Sequence, residues 1–284
     1  RELDSLSNNN LSGGAVSPSG RRVAMAFRAG PEGAGDKTLR VWDLETDELR
    51  LFDLPEGSSS NPRRERGVWD LAFAGESTLY TSGDGGVRRW NLESGTHELV
   101  LPTQPGSDQT WAAFAPDART AFVLEPLPEG ESLGPARILD LESGNVQTLS
   151  TFASSSLRSP VLWPRNGFDT TGTVAATGSR DGIVRVARLP DGEAHLLVGH
   201  EGPVDYVAIS RDERWVASTG EDGTLRLWPM PDLDKPPLYT LPQDELIAKL
   251  ESLTNLRAVP DPESSTGWSI EVGPFPGWKE MPAW

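Results

Sequence analysis

Gly199-His200, then Val204-Asp205-Tyr206-Val207-Ala208-Ile209-Ser210, then Trp215-Val216-Ala217-Ser218-Thr219, then Glu221-Asp222-Gly223-Thr224-Leu225-Arg226-Leu227-Trp228 is the stretch that decides the fold. Its three runs alternate apolar with polar side chains and are separated by turn-forming residues, which is the pattern of consecutive half-buried β-strands. Between the second and third runs lies Asp222-Gly223, the pair a tight hairpin demands, because positive φ costs Gly nothing and Asp little.

The same punctuation recurs upstream at a period of about 45 residues. Trp228 is preceded by equivalent anchor positions at Trp42, Trp90, Leu139 and Ala187, each ending a short alternating run. Asp84-Gly85 and Asp181-Gly182 stand where Asp222-Gly223 stands, and Gly35-Asp36 puts its Asp there too. Earlier runs such as Arg22–Phe27, Leu71–Phe73, Thr78–Ser82, Ala112–Phe114 and Thr173–Thr177 supply the other strands. Five units follow, over 12–58, 66–104, 109–152, 158–198 and 200–241, the third carrying an insertion, 125–134, in place of its Asp-Gly turn. About four short strands per unit is the signature of a β-propeller blade, and such a sheet must stack on neighbours to bury both faces. The predicted fold is therefore all-β: a propeller of four-stranded antiparallel blades, part of a larger ring, with a C-terminal helix and an extended tail.

The last unit resembles the WD repeats, through Gly199-His200, Ala217-Ser218 and Asp222-Gly223-Thr224-Leu225-Arg226-Leu227-Trp228. The resemblance implies that His200, Ser218, Asp222 and Trp228 form a hydrogen-bonded structural tetrad inside the blade. The other units depart from the pattern: Trp-Asp survives only at Trp42-Asp43, and none of them has a Gly-His. In WD-repeat proteins partners dock where the first strand of each blade begins, which corresponds here to Trp69, Asp70, Trp111, Asp205 and Tyr206. The tail is similar to the ends of bacterial WD-repeat proteins in which the propeller follows a Ser/Thr kinase domain, so a regulatory domain of such a kinase is the alternative function. No Gly-rich loop, His-Arg-Asp or Asp-Phe-Gly occurs in the chain itself.

Composition narrows the function further. With 26 basic against 42 acidic residues the net charge is −16, which disfavours phosphate-backbone binding and leaves nucleic acid out of the expected partners. Cys is absent, which removes thiol nucleophiles and Cys-ligated metals, and His97, His195 and His200 match no metal-ligand spacing. No cofactor, metal or catalytic residue is expected. The Ser218, His200 and Asp222 set could suggest a hydrolase triad, yet the same groups satisfy one another within a blade. An arginine recurs two residues before every anchor, at Arg40, Arg88, Arg137, Arg185 and Arg226. Such a ring could hold an acidic ligand, or each Arg could pack its stem between blades and pair with a local carboxylate.

No apolar stretch is long enough to span a bilayer. Direct membrane insertion is not expected; the compartment expected is the cytoplasm, or outside it for a propeller attached to a membrane-anchored kinase. Residues 1–15 read as the end of a preceding blade or a linker and 16–241 as the propeller. A helix is predicted over 242–259 from the stripe Leu246, Ile247, Leu250, Leu253 and Leu256, opened by a Thr240/Gln243 capping box. Residues 260–284, with Trp268, Phe275, Trp278 and Trp284, are predicted to pack extended on the propeller. The expected function is a non-catalytic scaffold or sensor that binds a protein or peptide, with a basic partner suited to aromatic anchors ringed by acids.

Overall fold

The computed structural model describes residues 10–29, 38–55, 66–83, 85–103, 110–124, 136–149, 167–179, 181–253, 256–264 and 267–272. Asp36, Asp84, the 125–134 insertion, residues 1–9, the start of the fourth unit before residue 167, and Phe275, Trp278 and Trp284 lie outside the described residues. Two compact units divide the chain, Arg1–Asp232 and Leu233–Trp284.

In the first unit every repeat becomes an antiparallel sheet with its strands in chain order. The first sheet is β1 (Asn10–Val16), β2 (Arg22–Ala29), β3 (Thr38–Asp43) and β4 (Glu48–Asp53). β5 (Arg66–Phe73), β6 (Thr78–Gly83), β7 (Gly86–Asn91) and β8 (His97–Pro102) form the second, which is hydrogen-bonded to the first where β2 pairs with β5 at Arg28–Gly67 and Ala29–Arg66. The third comprises β9 (Trp111–Phe114), β10 (Thr120–Leu124), β11 (Arg137–Asp140) and β12 (Val146–Thr148). In the fourth, β13 (Val174–Gly178), β14 (Ile183–Arg188) and β15 (His195–Val198) are joined by a Phe168–Ala175 bridge at the first-strand position. The fifth holds β16 (Val204–Ile209), β17 (Trp215–Gly220) and β18 (Leu225–Pro229). Its fourth-strand position falls on Asp234-Lys235-Pro236-Pro237, followed by a single 3-10 turn at Leu238–Thr240. Two consecutive prolines offer no N–H to a ladder, so the fifth sheet stops at three strands among the described residues.

The turns that repeat in sequence repeat in geometry. Between first and second strands the amide of Gly20, Ala118, Gly172 and Glu213 donates to the carbonyl of Ser17, Ala115, Asp169 and Ser210 respectively, at 2.8–3.3 Å. The closing residue is left-handed in all four, including Ala118 (φ 52°) and Glu213 (φ 56°). Fixed turns of this kind set the strand register and thereby decide which side chains share a face.

One packing rule joins the sheets. Each sheet has a forward face that meets the back face of the next. Leu39 and Val41 (forward, first sheet) pack on Leu71, Phe73, Leu79 and Trp90 (back, second). Tyr80 and Val87 pack on Phe114, Ala121, Val123 and Leu139, and Phe122, Ala136 and Ile138 on Phe168, Ala175 and Ala187. At the fourth joint Val184 and Val186 are fully buried, as is Val216, and a side-chain carbon on Gly178 would lie 2.4 Å from Val204 Cγ1. Glycine there lets the fourth and fifth sheets approach. Burying a Leu, Val or Phe contributes roughly 1.5–3 kcal/mol, so the core consists of these joints rather than of any single sheet.

The second unit contains helix α1 (Gln243–Leu253) and a hairpin of β19 (Leu256–Pro260) with β20 (Trp268–Val272), paired Leu256 to Val272 and Pro260 to Trp268. The helix is shorter than its apolar stripe suggests, because Leu256–Pro260 pairs as a strand with the strand that follows it. Thr240 does not cap it either: its hydroxyl donates to the Pro237 carbonyl at 2.8 Å.

Candidate functional site

At one end of the sheets the first strands begin and the second-to-third hairpins turn. In the second sheet Val68 pairs with Gly83 and Asp70 with Ser82, leaving Trp69 as an extra residue; in the fifth, Val204 pairs with Gly220 and Tyr206 with Thr219, leaving Asp205. The first sheet has the same irregularity between Leu11 and Gly13. A β-bulge re-aims a side chain out of the ladder, and bulges recur at rims that carry function. Trp69 and Asp205, two of the residues expected at a partner face, are these bulged residues; both are half-buried. Tyr206 is 55% exposed. Trp111 begins β9, opposite Leu124.

Asp70 is placed differently from the sequence expectation. Only 4% exposed, its carboxylate accepts the Leu71 amide at 2.7 Å and, across the joint, the Phe114 amide at 3.1 Å. It ties the second sheet to the third rather than facing a partner. Nothing in the sequence separates it from Tyr206, its counterpart in the fifth sheet.

Beside the fifth rim lies a relay of polar groups. Trp228 Nε1 donates to Ser218 Oγ at 2.8 Å, Ser218 Oγ lies 2.8 Å from His200 Nε2, and His200 Nδ1 lies 2.9 Å from Asp222. Asp222 can only accept when ionised, so Nδ1 carries the proton and Nε2 accepts from Ser218 when the ring is neutral. Two glycines make room: a Cβ on Gly199 would be 2.9 Å from the Trp228 ring, and one on Gly220 would be 2.9 Å from His200 Nδ1. Ser218 is 2% exposed and the His200 side chain fully buried, which leaves no approach for a reacting carbonyl to Oγ. The second sheet keeps half of the relay, Trp90 Nε1 donating to Thr81 at 2.9 Å. In the fourth, Ala187 replaces the anchor, and the buried hydroxyl of Thr177 has no hydrogen-bond partner among the described residues.

The hairpin aspartates are held charged. Burial by itself pushes Asp222 up, but the Thr224 amide and hydroxyl, His200 and the Glu201 amide outweigh it and hold the carboxyl well below the usual range. Burial likewise opposes, and the Arg185 guanidinium with Ser179 and the Ile183 amide overcomes, the same balance at Asp181. Arg185 pairs with Asp181 at 2.8 Å and Arg226 lies 3.8 Å from Asp222. Those two recurring arginines meet local carboxylates, and Arg40 is 9% exposed. Asp43, in the first sheet, is lowered to about 2: burial raises it, and the Thr46 and Glu45 amides and Arg21 bring it down.

These depressed values fix the sign of a pH dependence. A carboxyl titrating lower in the fold than in the unfolded chain, where about 3.9 is usual, adds stability above that value and loses it as pH falls toward the folded value. The wild type should therefore lose thermal stability between about pH 4 and pH 2. Asp222→Asn should melt lower than wild type at neutral pH, with the gap narrowing across that window, as followed by melting temperature against pH.

A groove of about 870 Å³ between the second and third sheets opens near the opposite turns and is lined by Tyr80, Arg89, His97, Glu98, Asp117 and Asp140 among others. Within it Arg89 pairs with Glu98 and Arg119 with Asp117, and Tyr80 donates to the Leu141 carbonyl at 3.0 Å. Among the described residues no cluster of three or more His, Asp or Glu is placed to hold a metal ion. None of the described helices is long and apolar enough to cross a membrane.

Residues 193–229 match the family described as "WD domain, G-beta repeat". The chain is similar to "WD repeat-containing protein SL1-17" of Schistosoma mansoni, 27% identical over 70% of this chain and 61% of the relative. It is similar to "WD repeat-containing protein 55" of Mus musculus, 28% identical over 82% of this chain and 56% of the relative. A third likeness is to "Serine-threonine kinase receptor-associated protein" of Gallus gallus, 25% identical over 69% of this chain and 50% of the relative. The chain thus spans between about half and three fifths of the length of these relatives.

Proposed function

We propose that the chain, which matches the WD repeat over residues 193–229 and is similar to WD-repeat proteins over 70–82% of its length, is a non-catalytic scaffold whose bulged rim takes a protein or peptide partner of basic character. The observation that carries the reading is the repeated bulge, which brings Trp69 and Asp205, beside the exposed Tyr206, to one end of their sheets. Acids dominate that end. Asp181 and Asp222 stay ionised, Glu201, Asp205 and Glu221 lie beside them in sequence, and Arg185 and Arg226 are engaged by the hairpin carboxylates. The net charge of −16 supports a cationic partner over nucleic acid. One relative is itself named for association with a receptor. The tetrad His200, Ser218, Asp222 and Trp228 is read as holding the hairpin beneath the rim, and the burial of the Ser218 hydroxyl favours that structural role over a catalytic one. The cytoplasm is the compartment proposed.

The test uses arrayed Lys/Arg-rich peptides with an aromatic residue, their neutral and acidic counterparts, and a random-sequence DNA duplex, each titrated against the full chain. The basic peptides should bind, weaken with added salt, and lose at least about tenfold in affinity with Tyr206→Ala or Trp69→Ala. Equal binding of neutral and basic peptides, or affinity untouched by both substitutions, contradicts the proposal.

A further inference from the structure

In each of the first three sheets the residue before the anchor position pairs with a residue of the outermost strand. The pairs are Val41 with Arg50, Arg89 with Glu98, and Ile138 with Gln147. At the first joint the Arg50 guanidinium crosses to the next sheet and donates to the carbonyls of Leu92 and, at 3.4 Å, Glu93. At the third joint Gln147 Nε2 crosses in the same way and donates to Asp191 at 2.5 Å. The second joint is built differently. Glu98 accepts but does not donate when ionised, so it offers nothing to the carbonyls of the facing turn, and it pairs back to Arg89 in its own sheet. That facing turn, Leu141-Glu142, is the counterpart of Leu92-Glu93. The groove left there is about 870 Å³, against about 100 Å³ at the first joint, where Arg50 lines the opening.

The groove carries the charge that a guanidinium needs. Glu98, Asp117, Asp140 and Glu142 line it together with Arg89 and Arg119, four carboxylates to two guanidiniums. Arg89 is paired with Glu98 and Arg119 lies 3.9 Å from Asp117, so the groove's own cations leave Asp140 and Glu142 unbalanced. The Ser143 amide and hydroxyl hold Asp140 below the usual carboxylate range, and it stays ionised. His97 is pushed down by desolvation and by the Arg88 charge, so it adds no positive charge at neutral pH. We propose that the groove binds a guanidinium group supplied from outside the fold, seated against Leu141-Glu142 as Arg50 is seated against Leu92-Glu93. An arginine side chain of an extended peptide and a free arginine-like small molecule share that chemistry, and the volume lies within the range of about 300–1,000 Å³ usual for ligand sites. A lysine ammonium lacks the planar fork that engages two acceptors at once, so it binds less well. The groove opens at the end opposite the bulged rim, between sheets that each have a neighbour on both sides, and it stands independently of the rim proposal.

The experiment is calorimetric titration of the full 284-residue chain with N-acetylarginine amide, its lysine and citrulline counterparts, and a blocked Gly-Gly-Arg-Gly-Gly peptide. The arginine probes should bind and weaken with added salt, the lysine probe should bind less tightly, and the uncharged citrulline probe should not bind. A peptide that binds more tightly than the amide assigns the guanidinium to a peptide partner; equal affinities assign it to a small molecule. Arg89→Val/Glu98→Arg copies the Val41/Arg50 pair into the second joint, fills the groove with the chain's own guanidinium, and should weaken arginine binding by at least about tenfold. Glu142→Gln, at an exposed turn position, should weaken it by about threefold. Circular dichroism checks that both variants fold, and Glu142→Gln decides the test if the double variant does not. Trp69→Ala and Tyr206→Ala should leave the affinity of these probes unchanged, which separates the groove from the rim. The proposal is overturned if neither arginine probe binds, if citrulline or lysine binds as tightly as arginine, or if the folded groove variants bind like the wild type. Loss of binding in Trp69→Ala or Tyr206→Ala overturns it too.

Discussion

Trp90→Ala should be the most damaging truncation of an anchor residue in this protein, lowering stability by about 3–5 kcal/mol and the melting temperature by on the order of 10 °C. Trp90 is 1% exposed at the joint between the first two sheets, with Phe52 edge-on at 6.2 Å and His97 at 4.6 Å between ring centroids. Truncation removes the largest side chain of that cluster and also the donor to Thr81, leaving a buried hydroxyl without its partner. Trp42 occupies the same sequence position in the first sheet, but it is half-buried and its indole N–H donates to Asp47 in an exposed turn. Trp42→Ala should cost about 1 kcal/mol. Chemical denaturation of both variants measures the difference, and equal costs would contradict the forward-to-back arrangement of the sheets.

Asp70→Ala should cost about 2–4 kcal/mol although it removes no apolar surface. The carboxylate accepts from two buried amides, Leu71 in its own sheet and Phe114 in the next, and Ala removes that acceptor from both. Asp70→Asn keeps one acceptor oxygen and brings an amide donor toward an N–H, so its cost should fall between Ala and wild type. Tyr206→Ala, at the corresponding position of the fifth sheet, should change stability by no more than about 0.5 kcal/mol, because its side chain is 55% exposed. Denaturant midpoints for the three variants check the order.

Local features of the fold were legible in the sequence. Turn chemistry and alternation are short-range properties, so the strands around Asp181-Gly182 and Asp222-Gly223 and the five-unit period could be read directly. The tetrad partners were legible too, since their spacing belongs to one sheet. What a neighbouring element does could not be read. Val184 and Leu225 look alike in their runs, yet one is fully buried and the other 67% exposed, because only the first has a sheet packed against it. Asp70 and Tyr206 share a position, and the presence of Phe114 across the joint makes one an internal tie. At α1 the helical stripe ran on through Leu256, where a strand partner at Val272 decided the outcome instead.

Exchange of the Phe114 amide, resolved to the single residue by NMR in wild type and in Asp70→Ala, tests most directly the claim that successive sheets pack forward face to back face in register. The amide bonds a carboxylate 44 positions away in another sheet. The account predicts a strongly protected Phe114 amide in the wild type, and protection lost there in Asp70→Ala while the amides of Ala121 and Val123 in the adjoining strand keep theirs. A Phe114 amide that exchanges freely in the wild type, or that is unchanged by Asp70→Ala, would contradict it.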